Sequence, residues 1–469
     1  MESFPILSND DLNETMTTPN SIQPLPPARS DFADDFLWGC ATSSYQIEGA
    51  GAVDGRVESI WDRFAATPGK VRDGSNGAVA CDHYHRWPED FDIARDMGLN
   101  AYRFSIAWPR IFSGPGSAPN PEGLAFYSRL VDGMLERGLQ PWATLYHWDL
   151  PQALQERGGW AERATVDAYL AFVDAMTRCL GDRVKHWITH NEPWCTAMIG
   201  NYEGLHAPGL TDFSTALQVC LHVLLSHGKA VPLIRANVPD AQVGIALSLH
   251  PVRPASDSAA DCAATLRHDG LRYRWFLDPL HGRGYPPATL EAVGACAPRI
   301  EPGDMDAIAV ATDFLGVNYY FPETIQDAPG EGPLQARVLP PGGVETTALG
   351  WEVAPAGLAE LLARIEHDYR PGPMYITENG ACYDDEVSPD GQVHDAGRRR
   401  YLQRHLSALR DVIRTGVPVK GYFAWSLVDN FEWAEGYLRR FGLIHVDYDT
   451  QQRRLKDSGK WYRAFLRQQ

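Results

Sequence analysis

Apolar positions along this chain come in two alternating arrangements. Short apolar runs at 36–40, 101–107, 140–146, 186–189, 243–249, 314–319, 374–377 and 420–425 predict strands. Between several of them, apolar residues recur with the helical period. One helix is predicted over 122–137, with Leu124, Tyr127, Leu130, Val131, Met134 and Leu135 on one face and Gly138 as its stop. A second is predicted over 166–180, with Val166, Tyr169, Leu170, Val173 and Met176, stopped by Gly181. A third spans 398–415, with Leu402, Leu406, Leu409 and Ile413, stopped by Gly416. Strands that each return through helical sequence imply an α/β fold, a single closed (β/α)8 (TIM) barrel with its active site at the C-terminal ends of the strands. The fifth-to-sixth connection is the longest and should carry extra elements. An open doubly wound sheet would show a Gly-rich phosphate loop after an early strand, and none is present.

Residues 1–30 are polar and rich in Pro, without periodicity, and are read as a disordered tail ahead of one domain over 31–469. They show neither a basic start nor a continuous apolar segment, so no ordinary secretory signal is expected. No apolar run approaches the length of a membrane span. The net charge of −18 argues against nucleic acid and anionic membranes as partners, and favours neutral or small polar substrates. The eight Cys are scattered without a Cys-x-x-Cys pair, which fits free thiols and a cytoplasmic location. A homo-oligomer is compatible with this composition.

The strand ends carry the chemistry. The stretch Tyr375-Ile376-Thr377-Glu378-Asn379-Gly380 puts a carboxylate where a strand gives way to a turn, and Trp187-Ile188-Thr189-His190-Asn191-Glu192-Pro193 repeats that grammar. Two carboxylates at two strand ends are what acid/base work on a glycosidic bond requires. Seven of the eight strand ends offer an uncharged hydrogen bonder, a carboxylate or an aromatic, a bias that a polyhydroxylated ligand explains and core packing does not. Cys81-Asp82-His83-Tyr84-His85 looks like a metal cluster but lacks a matching ligand pair, so neither a metal nor another cofactor is expected. Arg398-Arg399-Arg400 reads as a solvated helix face.

From Asp35 onward the chain resembles glycoside hydrolase family 1, of the β-glucosidase type. The resemblance rests on Phe36-Leu37-Trp38-Gly39, Tyr45-Gln46-Ile47-Glu48-Gly49, Tyr102-Arg103-Phe104-Ser105-Ile106 and Tyr146-His147-Trp148-Asp149-Leu150-Pro151. It continues through Asn191-Glu192-Pro193, Gly316-Val317-Asn318-Tyr319-Tyr320, Ile376-Thr377-Glu378-Asn379-Gly380 and Trp425-Ser426-Leu427-Val428-Asp429-Asn430-Phe431-Glu432-Trp433. It implies Glu192 as general acid/base and Glu378 as nucleophile. It implies Gln46, His147, Asn191 and Glu432 as hydrogen bonders to the sugar hydroxyls, with Trp425 beneath the sugar and Trp433 bonding to it through its indole. Arg103, Asn318 and Tyr320 would surround the nucleophile, Trp351 would wall the leaving-group side, and Trp148 would join the substrate site. Trp194 and Ile199 would line the entrance.

These roles are physically coherent. Arg103 and the Tyr320 hydroxyl would favour ionised Glu378, whose charge would keep the proton on Glu192 until Glu378 is glycosylated. The implied activity is retaining hydrolysis of terminal β-D-glucosyl residues from β-glucosides and short oligosaccharides, as in cellulose degradation. A transglycosylase, or a member biased to β-galactosides or β-fucosides, is the rival within the class; an inactive sugar-binding protein is the rival outside it. Relatives that take 6-phosphoglycosides carry a phosphate-holding set where this chain keeps Glu432-Trp433. The departures from the family pattern, Cys195, Cys40 and the long tail, are expected to touch nothing the mechanism needs.

Overall fold

The computed structural model describes residues 26–114 and 116–468. The tail expected over 1–30 lies outside the described residues as far as position 25; from Pro26 the chain makes a short turn at Arg29–Asp31. Eight parallel strands close a barrel: β1 (Leu37–Ala41), β2 (Ala101–Ser105), β3 (Gln140–Tyr146), β4 (His186–Asn191), β5 (Gln242–Ser248), β6 (Phe314–Asn318), β7 (Met374–Asn379) and β8 (Val419–Trp425). Strands adjacent in sequence are adjacent in space, and β8 closes on β1, with Leu37 opposite Gly421 and Ala41 opposite Trp425. Around them run α1 (His83–Met97), α2 (Pro121–Glu136), α3 (Ala164–Leu180), α4 (Phe213–Asn237), α5 (Ala259–Asp269), α6 (Pro355–Tyr369), α7 (Ala396–Arg414) and α8 (Asp457–Leu466). The connection over 249–313 carries α5, a π-helical turn at Gly270–Arg274 and further short helices. A three-stranded sheet of Val252–Pro254, Glu323–Asp327 and Ala336–Leu339 joins it to the segment after β6.

Local chemistry explains the helix ends. The Asn120 side chain accepts from the Glu122 amide and Pro121 opens α2, while Gly138, at φ 71°, ends that excursion in a conformation glycine tolerates. Leu135, expected on the inner face of α2, is instead exposed, and Phe126 fills the inner face. Helix α4 meets the length and apolarity of a membrane span, contrary to the expectation that no such run exists. It is mostly buried within the fold, against α3, β4 and β5, which accounts for its being apolar nearly all round.

Strand periodicity sorts the barrel interior. At its lower end Ala101, Trp142, Ile188, Ala246, Phe314 and Phe423 form one packed cluster, with the Trp142 ring 5.1 Å from Phe314 and 5.2 Å from Phe423. Two residues beyond Ala101 and Trp142, and four beyond Phe314, the inward positions become Arg103, Thr144 and Asn318, all fully buried. Every register shift among the barrel pairings falls on a pair made by β4 or β7.

The loop after β8 is held by buried charges. Lys456 Nζ donates to Asp429 Oδ1 at 2.6 Å and to Asp385, and Arg440 Nη1 donates to Asp429 Oδ2 at 2.7 Å. Arg398 belongs to the same network. Its Nη2 donates to Asp385 Oδ2 at 2.7 Å and to the Arg440 carbonyl at 2.6 Å, and its Nη1 donates to Asp395. The arginine run is therefore not a uniformly solvated face. Arg399 and Arg400 are exposed, but Arg398 turns inward because two buried aspartates require a cation. Arg398→Met should cost about 3–5 kcal/mol, since it leaves buried Asp395 without its cation and Asp385 with Lys456 alone. Urea denaturation followed by tryptophan fluorescence checks this, and a loss below about 1 kcal/mol would contradict the assignment.

Candidate active site

The two key carboxylates face the same cavity because their strands break the period-two rule. In a regular strand, consecutive side chains point to opposite faces. On β7, Thr377 points inward, its hydroxyl donating to Asn318 Oδ1 at 2.6 Å, yet Glu378 also reaches the cavity. A register shift between Ile376 and Glu378 makes this possible. On β4, His190 points outward to Ser226 of α4 at 2.8 Å, while Asn191 and then Glu192 both turn inward. There a shift between Ile188 and Asn191 combines with a left-handed backbone at Glu192, φ 48°. Trp148 (φ 76°) and Trp433 (φ 48°) share that sparsely populated region and line the same cavity. Such conformations cost about 1–3 kcal/mol each and persist only where the surroundings dictate them.

Glu378 and Glu192 have unlike partners. Glu378 Oε1 accepts from Arg103 Nη1 at 2.7 Å, and Oε2 accepts from the Tyr320 hydroxyl at 2.7 Å. Glu192 Oε1 accepts from Asn318 Nδ2 at 2.7 Å, and the Cys195 thiol, 2.9 Å away, donates to Oε2. Burial pushes the Glu378 carboxyl up to about 7; Arg103 opposes this, Glu192 adds to it, and Tyr320 opposes it. The Arg103 guanidinium bonds to Glu378 and not to Glu192, which favours a negative charge on Glu378.

Asn318 lies beside Glu378 on the neighbouring strand, and its amide donates to Glu192 and, at 3.0 Å, to Asn191 Oδ1. One expectation is corrected: Cys195 is not a bystander, because it bonds directly to Glu192. Burial, reinforced by the Glu192 charge, keeps its thiol protonated and therefore a donor. Nothing in the sequence marks this contact beyond the three-residue spacing after Glu192. Cys81, His83 and His85 reach three separate partners: the Asp429 carbonyl, Asp90 and Asp82.

The cavity encloses about 490 Å³. His147, Trp425, Glu432 and Trp433 line it, as do Trp351, Leu349 and Phe441, which pack in one cluster with Trp425; Trp148, Trp194 and Ile199 also contribute. His147 Nε2 accepts from Asn191 Nδ2 at 3.1 Å, and its ring is nearly parallel to Trp425 and Trp433. Burial, and then Arg103, keeps that imidazole neutral. Gln46 and Asn191 lie just behind the lining. Gln46 Nε2 donates to Asn430 Oδ1 and the Phe431 carbonyl, both at 2.9 Å, and reaches Glu432 Oε2 at 3.5 Å. Burial raises Glu432 to about 8, and the charge of Glu378 adds to the effect. Gly380 lets the chain after β7 lie against the end of β8: a Cβ there would fall 1.9 Å from the Trp425 carbonyl oxygen.

Residues 28–469 match the profile of glycosyl hydrolase family 1. The chain is 46% identical over 435 residues to β-glucosidase A of Thermotoga maritima, spanning 92% of this chain and 96% of that one. It is 45% identical over 435 residues to a 1,4-β-D-glucan glucohydrolase of Thermotoga neapolitana, spanning 92% and 97%. The solved structure of the Thermotoga maritima β-glucosidase in complex with deoxynojirimycin matches with a TM-score of 0.90 at 44% identity, covering 93% of this chain and 98% of that one.

The Tyr320 hydroxyl stabilises the charged form of Glu378, so Tyr320→Phe should move the Glu378 titration upward from about 7. Infrared carboxyl absorption against pH, with Glu378→Gln subtracted, reads this directly. An unchanged or lowered midpoint would contradict the assignment.

Proposed function

The chain belongs to glycosyl hydrolase family 1, and we propose that it removes terminal β-D-glucosyl residues from β-glucosides and short oligosaccharides with retention of configuration. The observation that carries this reading is the unlike pairing of two buried carboxyls. Glu378 is bound to a guanidinium and a phenol, whereas Glu192 is bound to an amide and a thiol. The first arrangement suits a nucleophile and the second a group that gives and takes a proton.

In the first half-reaction Glu378 attacks the anomeric carbon, and the bond to the leaving oxygen breaks. Glu192 delivers its proton to that oxygen, and a glycosyl–Glu378 ester forms. Esterification removes the charge of Glu378, and Glu192 is left ionised. In the second half-reaction Glu192 takes a proton from water, which attacks the same carbon and breaks the ester. The two inversions sum to retention, and both carboxyls return to their starting states.

The sugar end of the cavity supports a neutral hexose. Trp425 offers a flat face to the ring, while Glu432, His147 and the Trp433 indole supply hydrogen bonding at its rim. Gln46 holds Glu432 in place from behind. Arg272 is the only Lys or Arg among the described lining residues, and it is held by Ser248 and His250 after β5, so a 6-phosphate beside Glu432 would meet carboxyl groups without a cation.

Glu192→Ala and Glu378→Ala should fail in different ways. Without Glu192, an activated aryl glucoside still forms the ester, but water attack slows by about 100- to 10,000-fold. Azide needs no base and restores turnover, giving the β-glycosyl azide. Without Glu378, azide attacks from the vacated carboxylate position and gives the α-glycosyl azide. Proton NMR of the two products decides the matter: the same anomer from both variants, or the reverse assignment, would overturn these roles.

A further inference from the structure

The ends of β1, β2 and β3 are joined by three buried side chains that the reaction above does not use. Ser105, the last residue of β2, accepts from the Ser44 amide at 2.7 Å and donates to the Ser44 hydroxyl at 3.0 Å. Ser44, just past β1, donates in turn to Asp149 Oδ2 at 2.8 Å. An ionised carboxylate only accepts, so Asp149 sets the direction of the whole chain. The single hydroxyl hydrogen of Ser44 is committed to Asp149, and its oxygen is left to accept from Ser105.

Both ends of this chain adjoin residues of the cavity. Ser44 opens the helical turn Ser44–Ile47, which carries Gln46. Ser43 Oγ donates to Gln46 Oε1 at 2.6 Å, and the amide nitrogen of Gln46 is thereby directed at the β8 loop. Asp149 follows His147 and Trp148, which line the cavity and both bond to Asn191. Among the described residues, Ser44 to Asp149 is the one hydrogen bond between residues 44–47 and residues 147–149. Trp148 has a left-handed backbone, φ 76°, a conformation that must be imposed by its surroundings. The bond made by the very next side chain does so.

Asp149 is poorly suited to mere packing. It is 1% exposed, and its second oxygen, Oδ1, bonds to no other described residue. The guanidinium groups of this corner are committed elsewhere, Arg56 to Asp62 at 2.9 Å and Arg110 to Glu48 at 3.0 Å. Burial pushes the Asp149 carboxyl up to about 7; the bond from Ser44 opposes this, Glu48 adds to it, and Arg56 opposes it. A buried carboxyl without a cation destabilises a fold, and what it supplies here that an apolar side chain cannot is an acceptor for Ser44. We infer that Asp149 is a positioning residue, which through Ser44 holds the turn carrying Gln46 and the segment carrying His147 at the fixed separation a hexose requires. This rests on the glucosidase reading, which gives those two residues a sugar to hold.

The test is the affinity of folded protein for the glucose mimic deoxynojirimycin, which has no leaving group, in Asp149→Ala, Asp149→Asn, Ser44→Ala and the double variant Ser44→Ala/Asp149→Ala. Each alanine form should bind about tenfold more weakly, and the double variant should lose no more than either alone, because the same tie is cut in all three. Asp149→Asn keeps an acceptor for Ser44 and should stay within about threefold of the unaltered protein. If Asp149→Ala does not fold, Ser44→Ala and Asp149→Asn carry the comparison. Three results would overturn the inference: losses that multiply in the double variant, Asp149→Asn as weak as the alanine forms, or a lowered unfolding midpoint in Ser44→Ala with unchanged affinity. Turnover of an aryl β-glucoside by the unaltered protein reports separately on the hydrolytic reading.

Discussion

One buried guanidinium makes the rest of this site possible. Arg103 is fully buried, and each of its nitrogens is committed: Nε to Thr144 on β3, Nη2 to Asn191 on β4, and Nη1 to Glu378 and the Thr377 carbonyl on β7. A side chain from β2 thereby ties together the strands that carry both carboxylates. It is also the cation in bonding contact with Glu378, while Glu192, Glu378 and Glu432 share the same cavity. Burial pushes Glu378 to about 7 and Glu432 to about 8, so the cavity near neutral pH holds fewer negative charges than carboxyl groups.

Around that centre the fold adds rigidity from outside. The Asp429–Lys456–Arg440 network, with Arg398 and Asp385 next to it, anchors the start of the β8 loop. Gln46 clamps the middle of the same loop through Asn430 and Phe431, and Trp433 packs 4.6 Å from Trp61 and 4.5 Å from Trp148. Glu432 and Trp433 are thus presented by a loop with almost no freedom of its own. Removing an anchor well away from the cavity would loosen the two residues this loop presents to it.

The barrel was readable in the sequence because its strands are short apolar runs separated by helices with clear period and glycine stops. The strand-end carboxylates were readable because such a barrel gathers polar residues at one end of every strand. What escaped was whatever broke a local rule. Asn191 with Glu192, and Thr377 with Glu378, are consecutive pairs that share a face, and period two forbids this until the register shifts on β4 and β7 are seen. Arg398 opens a run of three arginines that reads as solvent-facing, and only the fold brings Asp385 and Asp395 to it. Cys195 resembled a neutral replacement until its thiol was placed on Glu192. Arg272 lies in a connection without periodic pattern, and its partners at Ser248, His250 and Glu323 are scattered through the sequence.

The central claim is that Glu378 carries the sugar between the two half-reactions while Glu192 moves the proton. The most direct measurement is to trap that intermediate with an activated 2-deoxy-2-fluoro-β-glucoside, whose second step is slow, and to map the modified peptide by mass spectrometry. The expected result is one glucosyl equivalent per chain, esterified to Glu378 and lost on treatment with an acceptor alcohol. A label on Glu192, or inactivation without any covalent adduct, would contradict the account.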